Sequence, residues 1–157
     1  MVKVFKLQTM ALTWHLKKFD ELSVRELYSI LRLRNEVFVI EQNCIYQDTD
    51  NIDQDAYHLM GWENNNLVAY TRIIPPANEN SEPAIGRVVT APGERGKGMG
   101  RQLMEESIRH VYLLFGNRPI RIGAQVYLRK FYGELGFLPE GEPYLEDGIE
   151  HIHMIKP

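Results

Sequence analysis

Three glycines alternate along one short stretch, Gly96, Gly98 and Gly100, with the cations Arg95, Lys97 and Arg101 between and beside them. The β-branched run Val88-Val89-Thr90 precedes the stretch, Pro92 closes that run, and a long amphipathic segment follows. Glycine admits φ > 0 and lets a ligand approach backbone N–H groups closely. A helix N-terminus attracts anions. The three cations stand where the helix dipole favours acids. Helix stability therefore does not account for them, whereas a bound anion does. The chemistry predicted is an anion bound by backbone amides.

Two phosphate loops fail the spacing. The nucleoside-triphosphate loop needs a glycine, four residues, then Gly-Lys-Ser/Thr. Here Gly98 follows Gly96-Lys97, and Ala91 stands where the first glycine belongs. The dinucleotide fingerprint needs a glycine where Arg101 stands, and an acid about 20 residues on, where the chain has Arg118, Pro119 and Ile120. Arg95-x-x-Gly98-x-Gly100, entered from a strand and leaving into a helix, resembles the acyl-coenzyme A loop of the GNAT family of N-acetyltransferases. The late stretch Gln125 to Phe137 resembles that family's Phe-Tyr-x-x-x-Gly-Phe element, here Phe131-Tyr132 and Gly136-Phe137. Within the family the chain looks most like the ElaA-type proteins. Arg34-x-x-Val37-Phe38-Val39-x-Glu41-Gln42-x-Cys44-x-Tyr46-x-Asp48-x-Asp50 and Glu146-Asp147-Gly148-Ile149-x-His151 carry that resemblance. It runs from about Leu12 to the end.

These residues need elements to hold them. Thr13 to Lys17 alternates and reads as a strand. Ser23-x-x-Glu26 is a capping box that opens a helix running toward Val37 and Phe38. Residues 42–55 are polar, acid-rich and irregular. Tyr57 to Trp62 and Leu67 to Ile74 form a hairpin about Glu63-Asn64-Asn65-Asn66. Ile85 to Thr90 is the next strand. After the glycine loop, Met104, Ile108, Val111 and Phe115 share one helix face. Pro119 to Ala124 is a strand, Leu128 to Leu135 a short helix, and Phe137-Leu138 with His151 to Ile155 a closing antiparallel pair. The order β, α, ββ, β, α, β, α, ββ predicts an α+β sheet with helices on its faces. The resemblance implies the rest: an α/β/α acyl-CoA N-acyltransferase fold, with a mixed six- to seven-stranded sheet splayed at the acyl-CoA site.

The resemblance further implies transfer of an acetyl group from acetyl-CoA to a primary amine, by direct attack in a ternary complex. Coenzyme A would be held by Arg95, Gly96, Lys97, Gly98, Met99, Gly100 and Arg101. Val88, Val89 and Thr90 would offer backbone donors to the pantetheine arm and the developing oxyanion. Gln125 stands where some members carry an asparagine. Tyr132 occupies the position of the general acid, and a phenol is protonated at neutral pH. The general base is not named by the sequence, and Glu41, His58 and His151 are candidates on the acceptor side. Arg34 and Arg87 either bind a substrate carboxylate or pair with nearby acids. Asp48, Asp50, Asp53 and Asp55 either line an anionic mouth for a cationic amine or form a solvated loop; their spacing is not that of a calcium loop, and no metal is expected. Cys44 has no activating histidine beside it in sequence, which leaves little basis for an acyl-cysteine route.

Composition sets outer bounds. The 157 residues predict one domain, and the 44% apolar share is enough for a core. A net charge of −3 does not fit a nucleic-acid or anionic-membrane surface. One cysteine fits a reducing cytoplasm, and no membrane span or export signal is read. Residues 1–10 read as an extension that adds little to the fold. The acceptor is a small-molecule or peptide amine, and strand pairing near the C-terminus is one route to a homodimer. Two other functions suit the same residues. One is a non-catalytic acyl-CoA sensor. The other is an acyl transfer such as acyl-homoserine-lactone-like synthesis, on the Arg34-x-x-Val37-Phe38 spacing.

Overall fold

Seven strands are present: Thr13–Lys18 (β1), Tyr57–Glu63 (β2), Asn66–Ile74 (β3), Ala84–Thr90 (β4), Ile120–Gln125 (β5), Leu138–Glu146 (β6) and Ile149–Lys156 (β7). Three α-helices join them: Val24–Arg34 (α1), Met99–Phe115 (α2) and Arg129–Glu134 (α3). The computed structural model describes residues 11–157, so the reading of residues 1–10 lies outside the described residues. The strands make one mixed sheet in the order β1-β2-β3-β4-β5-β7-β6. Among the described residues, no helix is long and apolar enough to cross a membrane.

The capping box is formed: Glu26 N donates to Ser23 Oγ at 3.2 Å, and Ser23 N to Glu26 Oε2 at 2.8 Å. The helix then widens. Asn35–Glu41 is π-helical, with Gln42 N donating to Val37 O at 3.1 Å and Cys44 N to Val39 O at 3.1 Å. Such wide turns are rare and concentrate at functional sites. α1 and this extension bury Ile30, Leu33 and Val37 against Met60, Tyr70 and Val89. On the opposite face α2 lays Met104 and Val111 over Ile73, Ile85, Ile120 and Ile122, with Tyr132 and Phe137 closing the cluster. That side also buries a polar pair, Thr71 and Ser107, whose hydroxyls lie 2.8 Å apart; Ser107 Oγ donates to Leu103 O at 2.7 Å.

β4 carries a bulge. Tyr70 pairs with Val89 and Arg72 with Gly86, so Arg87 and Val88 face the single residue Thr71. Arg87 has φ +50°, in the left-handed region. The extra residue reverses the faces beyond it. Ile85 packs on the α2 side, and Val89, four residues on, packs under α1. In an unbroken strand both would share one face. β4 then parts from β5: the two pair in parallel only at Ala84 and Arg121, with Arg121 N donating to Pro83 O at 3.0 Å. The expected splay is therefore present.

β6 is longer than its sequence predicts. Pro139, Gly141 and Pro143 break the alternation, and the strand is exposed almost throughout. It is an edge, where proline is tolerated.

Ser107 supplies the only acceptor for the Thr71 hydroxyl among the described residues. Ser107→Ala should therefore cost about 1–3 kcal/mol, the penalty for a buried hydroxyl left unpaired. Adding Thr71→Val should recover most of that loss, as read from urea midpoints of the three variants.

Candidate active site

Gly96 and Gly98 both sit at φ +77°, and Gly98 immediately precedes the first residue of α2. A Cβ at either would meet nothing within 4 Å. Protein packing thus does not require glycine there; the backbone conformation does, and the space above it is open. Residues 95–98 form a turn leading into α2, and no N–H from Gly96 through Arg101 makes a well-aligned hydrogen bond to a protein acceptor among the described residues. α2 has no side-chain cap and no acid in its first turn. Amide groups at a helix N-terminus with no acid beside them favour an anion. The neighbouring cations are engaged at the surface. Arg95 Nη1 lies 2.7 Å from Glu41 Oε1, Lys97 Nζ 3.2 Å from Glu94 Oε2 and Arg101 Nη2 2.8 Å from Glu134 Oε2. Exposed pairs of this kind contribute at most about 1 kcal/mol. They can be exchanged for a phosphate.

Behind the loop lies the gap between β4 and β5. Ala91 N donates to Val68 O on β3 at 2.8 Å. Amides alternate in direction along an extended strand. Those of Val88 and Thr90 therefore face away from β3, into the gap. α3 forms the opposite wall. A methyl added at Gly100 would touch Phe131 Cζ at 3.8 Å, so α3 abuts the glycine loop. Tyr132, beside Phe131, is 6% exposed and packs edge-on against Phe131 and Phe137. Its hydroxyl has no hydrogen-bond partner among the described residues. Burial pushes the phenol above its ordinary range, so it stays protonated at neutral pH.

The end of the π-helix straps the other side of the gap. Glu41 reaches Arg95, Gln125 Nε2 donates to Gln42 Oε1 at 3.4 Å, and Cys44 Sγ donates to Asp147 O at 3.2 Å in the β6–β7 turn. Glu41 is thus held by the glycine loop. His151 pairs in register with Gln125 at the end of β5. Its Nδ1 lies 2.8 Å from Ile149 O, which can only accept. Nδ1 therefore donates, and Nε2 lies 3.7 Å from Glu146 Oε2. His58 lies elsewhere. It is fully buried, donating from Nε2 to Asp53 O at 2.9 Å and accepting at Nδ1 from the Tyr70 hydroxyl at 2.8 Å. Burial lowers its pKa and keeps it neutral.

The acidic loop is neither an open anionic mouth nor a solvated loop at Asp48, Asp50 and Asp53. These three carboxylates face three guanidiniums. Fully buried Arg34 donates to Asp48 Oδ2 at 2.9 Å and Asp53 Oδ1 at 2.7 Å. Arg72 donates to Asp50 Oδ1 at 2.7 Å and Asp53 Oδ1 at 3.1 Å. Arg87 donates to Asp48 Oδ1 at 2.8 Å and reaches Asp50 Oδ2 at 3.3 Å. Between the two readings of Arg34 and Arg87, the structure contains the pairing with acids. Asp55 stays outside the cluster. Arg72 has no signal in the sequence beyond being a charge within the apolar run of β3; its partners lie 19 and 22 residues away.

A mixed sheet parted at one pair of strands, with a glycine-loop helix at the mouth of the parting, is the architecture of a coenzyme A-dependent acyltransferase. The chain belongs to the acetyltransferase (GNAT) domain family, which matches residues 21–157. It is 43% identical to Protein ElaA of Escherichia coli K12 over 145 residues, 91% of this chain and 95% of ElaA. The crystal structure of E. coli ElaA superposes with a TM-score of 0.88 at 41% identity, over 94% of this chain and 100% of that one. An acyl-CoA N-acyltransferase from Pseudomonas aeruginosa superposes at 0.89 with 42% identity, over 94% and 100% of the two chains. The coenzyme A-dependent acyl-homoserine lactone synthase BjaI, at 19% identity and a TM-score of 0.77 over 92% and 82%, shares the fold.

Two predictions follow the ion cluster. Arg34→Met strands Asp48 and Asp53 beside fewer cations in a buried site. It should destabilise the fold by about 3–5 kcal/mol in equilibrium denaturation, the range for breaking one side of a buried pair. The second concerns acid. Burial alone would raise the Asp50 carboxyl, but hydrogen bonds and charge from Arg72 and Arg87 hold it at about 2. Burial likewise opposes, and Arg34 and Arg72 outweigh it, at Asp53, which is lowered. An unfolded Asp titrates near 3.9, so on acidification the unfolded chain takes up protons first. The stabilisation is present above about pH 4 and disappears as pH falls toward about 2. Urea midpoints should drop through that window, and Asp50→Asn should flatten part of the drop.

Proposed function

We propose that the chain is a single-domain N-acetyltransferase that moves the acetyl group of acetyl-CoA to a primary amine. The observation that carries this reading is the glycine turn from Gly96 to Arg101, with no acid at the start of α2, at the mouth of a gap beside α3 and the buried Tyr132. The amides take the pyrophosphate, and Arg95, Lys97 and Arg101 turn from their surface acids to add charge. The pantetheine arm runs into the gap along β4, with Gln125 at its far side. The thioester carbonyl comes to the amides of Val88 and Thr90, one of which carries the charge that develops on oxygen.

Each proton has a route. Tyr132 gives its proton to the leaving sulfur. A phenol held above its ordinary pKa is fully protonated when the sulfur departs, and the departing thiolate is unsolvated in the gap. Among Glu41, His58 and His151, the geometry favours His151 as base. His58 is sealed in the core and Glu41 holds Arg95, whereas His151 sits in register with Gln125 at the end of β5, its ring oriented by Nδ1 donating to Ile149 O. Glu146 is placed to steady the imidazolium once formed. The acceptor enters past Gln42, Gln125 and the β6–β7 turn. With Asp48, Asp50 and Asp53 neutralised internally, a strongly cationic acceptor has no special advantage there. The single Cys44 suits a reducing cytoplasm.

Free coenzyme A thiol, released from acetyl-CoA in the presence of an amine panel, tests the reading. Release with an amine supports it; binding of acetyl-CoA without release under every amine makes the chain a sensor instead. In an active reaction, Tyr132→Phe should lower kcat by about 10²–10⁴, the span of a general acid–base contribution, with KM for acetyl-CoA within about twofold. Unchanged turnover would remove Tyr132 from the acid role.

A further inference from the structure

Arg87 is the residue whose backbone and side chain are both unusual. Its φ of +50° is a conformation that costs a non-glycine residue roughly 1–2 kcal/mol. It persists because something else over-determines it. That something is visible: Nε donates to Asp48 Oδ1 at 2.8 Å, and Nη2 reaches Asp48 O at 3.1 Å and Asp50 Oδ2 at 3.3 Å. The guanidinium also lies over the Tyr46 ring, 5.8 Å from its centroid. Tyr46 in turn donates to Asp48 Oδ1 at 3.0 Å. Asp48 is anchored independently by Arg34, from α1. The loop is thereby fixed to the helix, and Arg87 is fixed to the loop.

The position of that clamp matters because it falls on the bulge. Arg87 and Val88 are where β4 gains its extra residue, both opposite Thr71 of β3. A shift of one residue exchanges every amide that faces the neighbouring strand for one that faces away. With the bulge, the amides of Val89 and Ala91 face β3 and those of Val88 and Thr90 face the gap. Without it, the sets exchange, and Val89 would turn from its place under α1.

We infer that Arg87, held by Asp48 and Asp50, is a positioning residue that locks the β4 bulge and so aims the Val88 and Thr90 amides at the acyl group, rather than a group that binds acceptor. The catalytic part rests on the function proposed above; the locking of the bulge does not.

Glycine at position 87 separates the two roles. Arg87→Ala loses the clamp and keeps the strain. Arg87→Gly loses the clamp and removes the strain, so the bulge is retained. Amide hydrogen exchange reads the bulge in the free protein. The amides of Val89 and Ala91 should lose protection by about tenfold or more in Arg87→Ala, with those of β2 unchanged, and regain most of it in Arg87→Gly. Thiol release from acetyl-CoA reads the consequence. Arg87→Ala should lower kcat by about 10²-fold, as for loss of one oxyanion donor, with KM for acetyl-CoA unchanged, and Arg87→Gly should recover most of it. Should Arg87→Ala fail to fold, Arg87→Gln takes its place with the same expectations. Any result in which glycine does no better than alanine overturns the inference, including equal losses with a raised acceptor KM. A wild-type chain that releases no thiol defeats the proposed function, and the exchange data still decide the bulge.

Discussion

β4 and β5 are neighbours in the sheet, yet they pair at a single position, Ala84 with Arg121. A parallel ladder continued past that point would consume the amides of Val88 and Thr90. Because it stops, polar backbone is left facing a gap inside the sheet. Unpaired backbone donors are costly where water cannot reach them and reactive where a ligand can. The rest of the molecule is arranged about this opening. The bulge at Arg87 and Val88 bends β4 away, the glycine loop and α2 stand at one end, α3 makes a wall, and the strap from Glu41 to Cys44 crosses the other side.

The two flanks of the gap differ in how firmly charge holds them. On one flank, Arg34, Arg72 and Arg87 meet Asp48, Asp50 and Asp53 in a mostly buried cluster spanning α1, β3, β4 and the loop between α1 and β2. Such clusters seldom add net stability over apolar packing, since desolvation offsets the attraction. Their consequence is a fixed geometry, because losing any one partner strands another. On the flank of the glycine loop, Arg95, Lys97 and Arg101 hold exposed acids in pairs that water screens. A pyrophosphate can take them without disturbing the fold. One side is rigid where chemistry needs aim, and the other yields where a charged ligand must enter.

Much of this was legible in the residues. Capping box, alternation and glycine punctuation located all seven strands and the three α-helices, because those signals act within a few positions. The conformation of the glycine loop was legible for the same reason: Gly98 needs glycine for its own φ of +77°. β6 was read short, since an exposed edge strand with two prolines carries no alternation. The acidic loop was the main failure. Its charges are explained by partners 14 to 39 residues distant, and only the fold brings Arg34 and Arg87 to one carboxylate, Asp48. Arg72 and the Thr71–Ser107 pair escaped notice because a polar residue on a buried face shows no sign in sequence of what will satisfy it.

The central claim is that the parted strands and the glycine loop together form one acyl-CoA cleft. A crystal structure of the chain with acetyl-CoA bound tests it most directly. The account predicts pyrophosphate oxygens within about 3 Å of the amides between Gly96 and Arg101. It also predicts the thioester carbonyl at the amide of Val88 or Thr90 and the sulfur within reach of Tyr132. Coenzyme lodged elsewhere, or an acyl group on the far side of β4 from the Tyr132 hydroxyl, would contradict it.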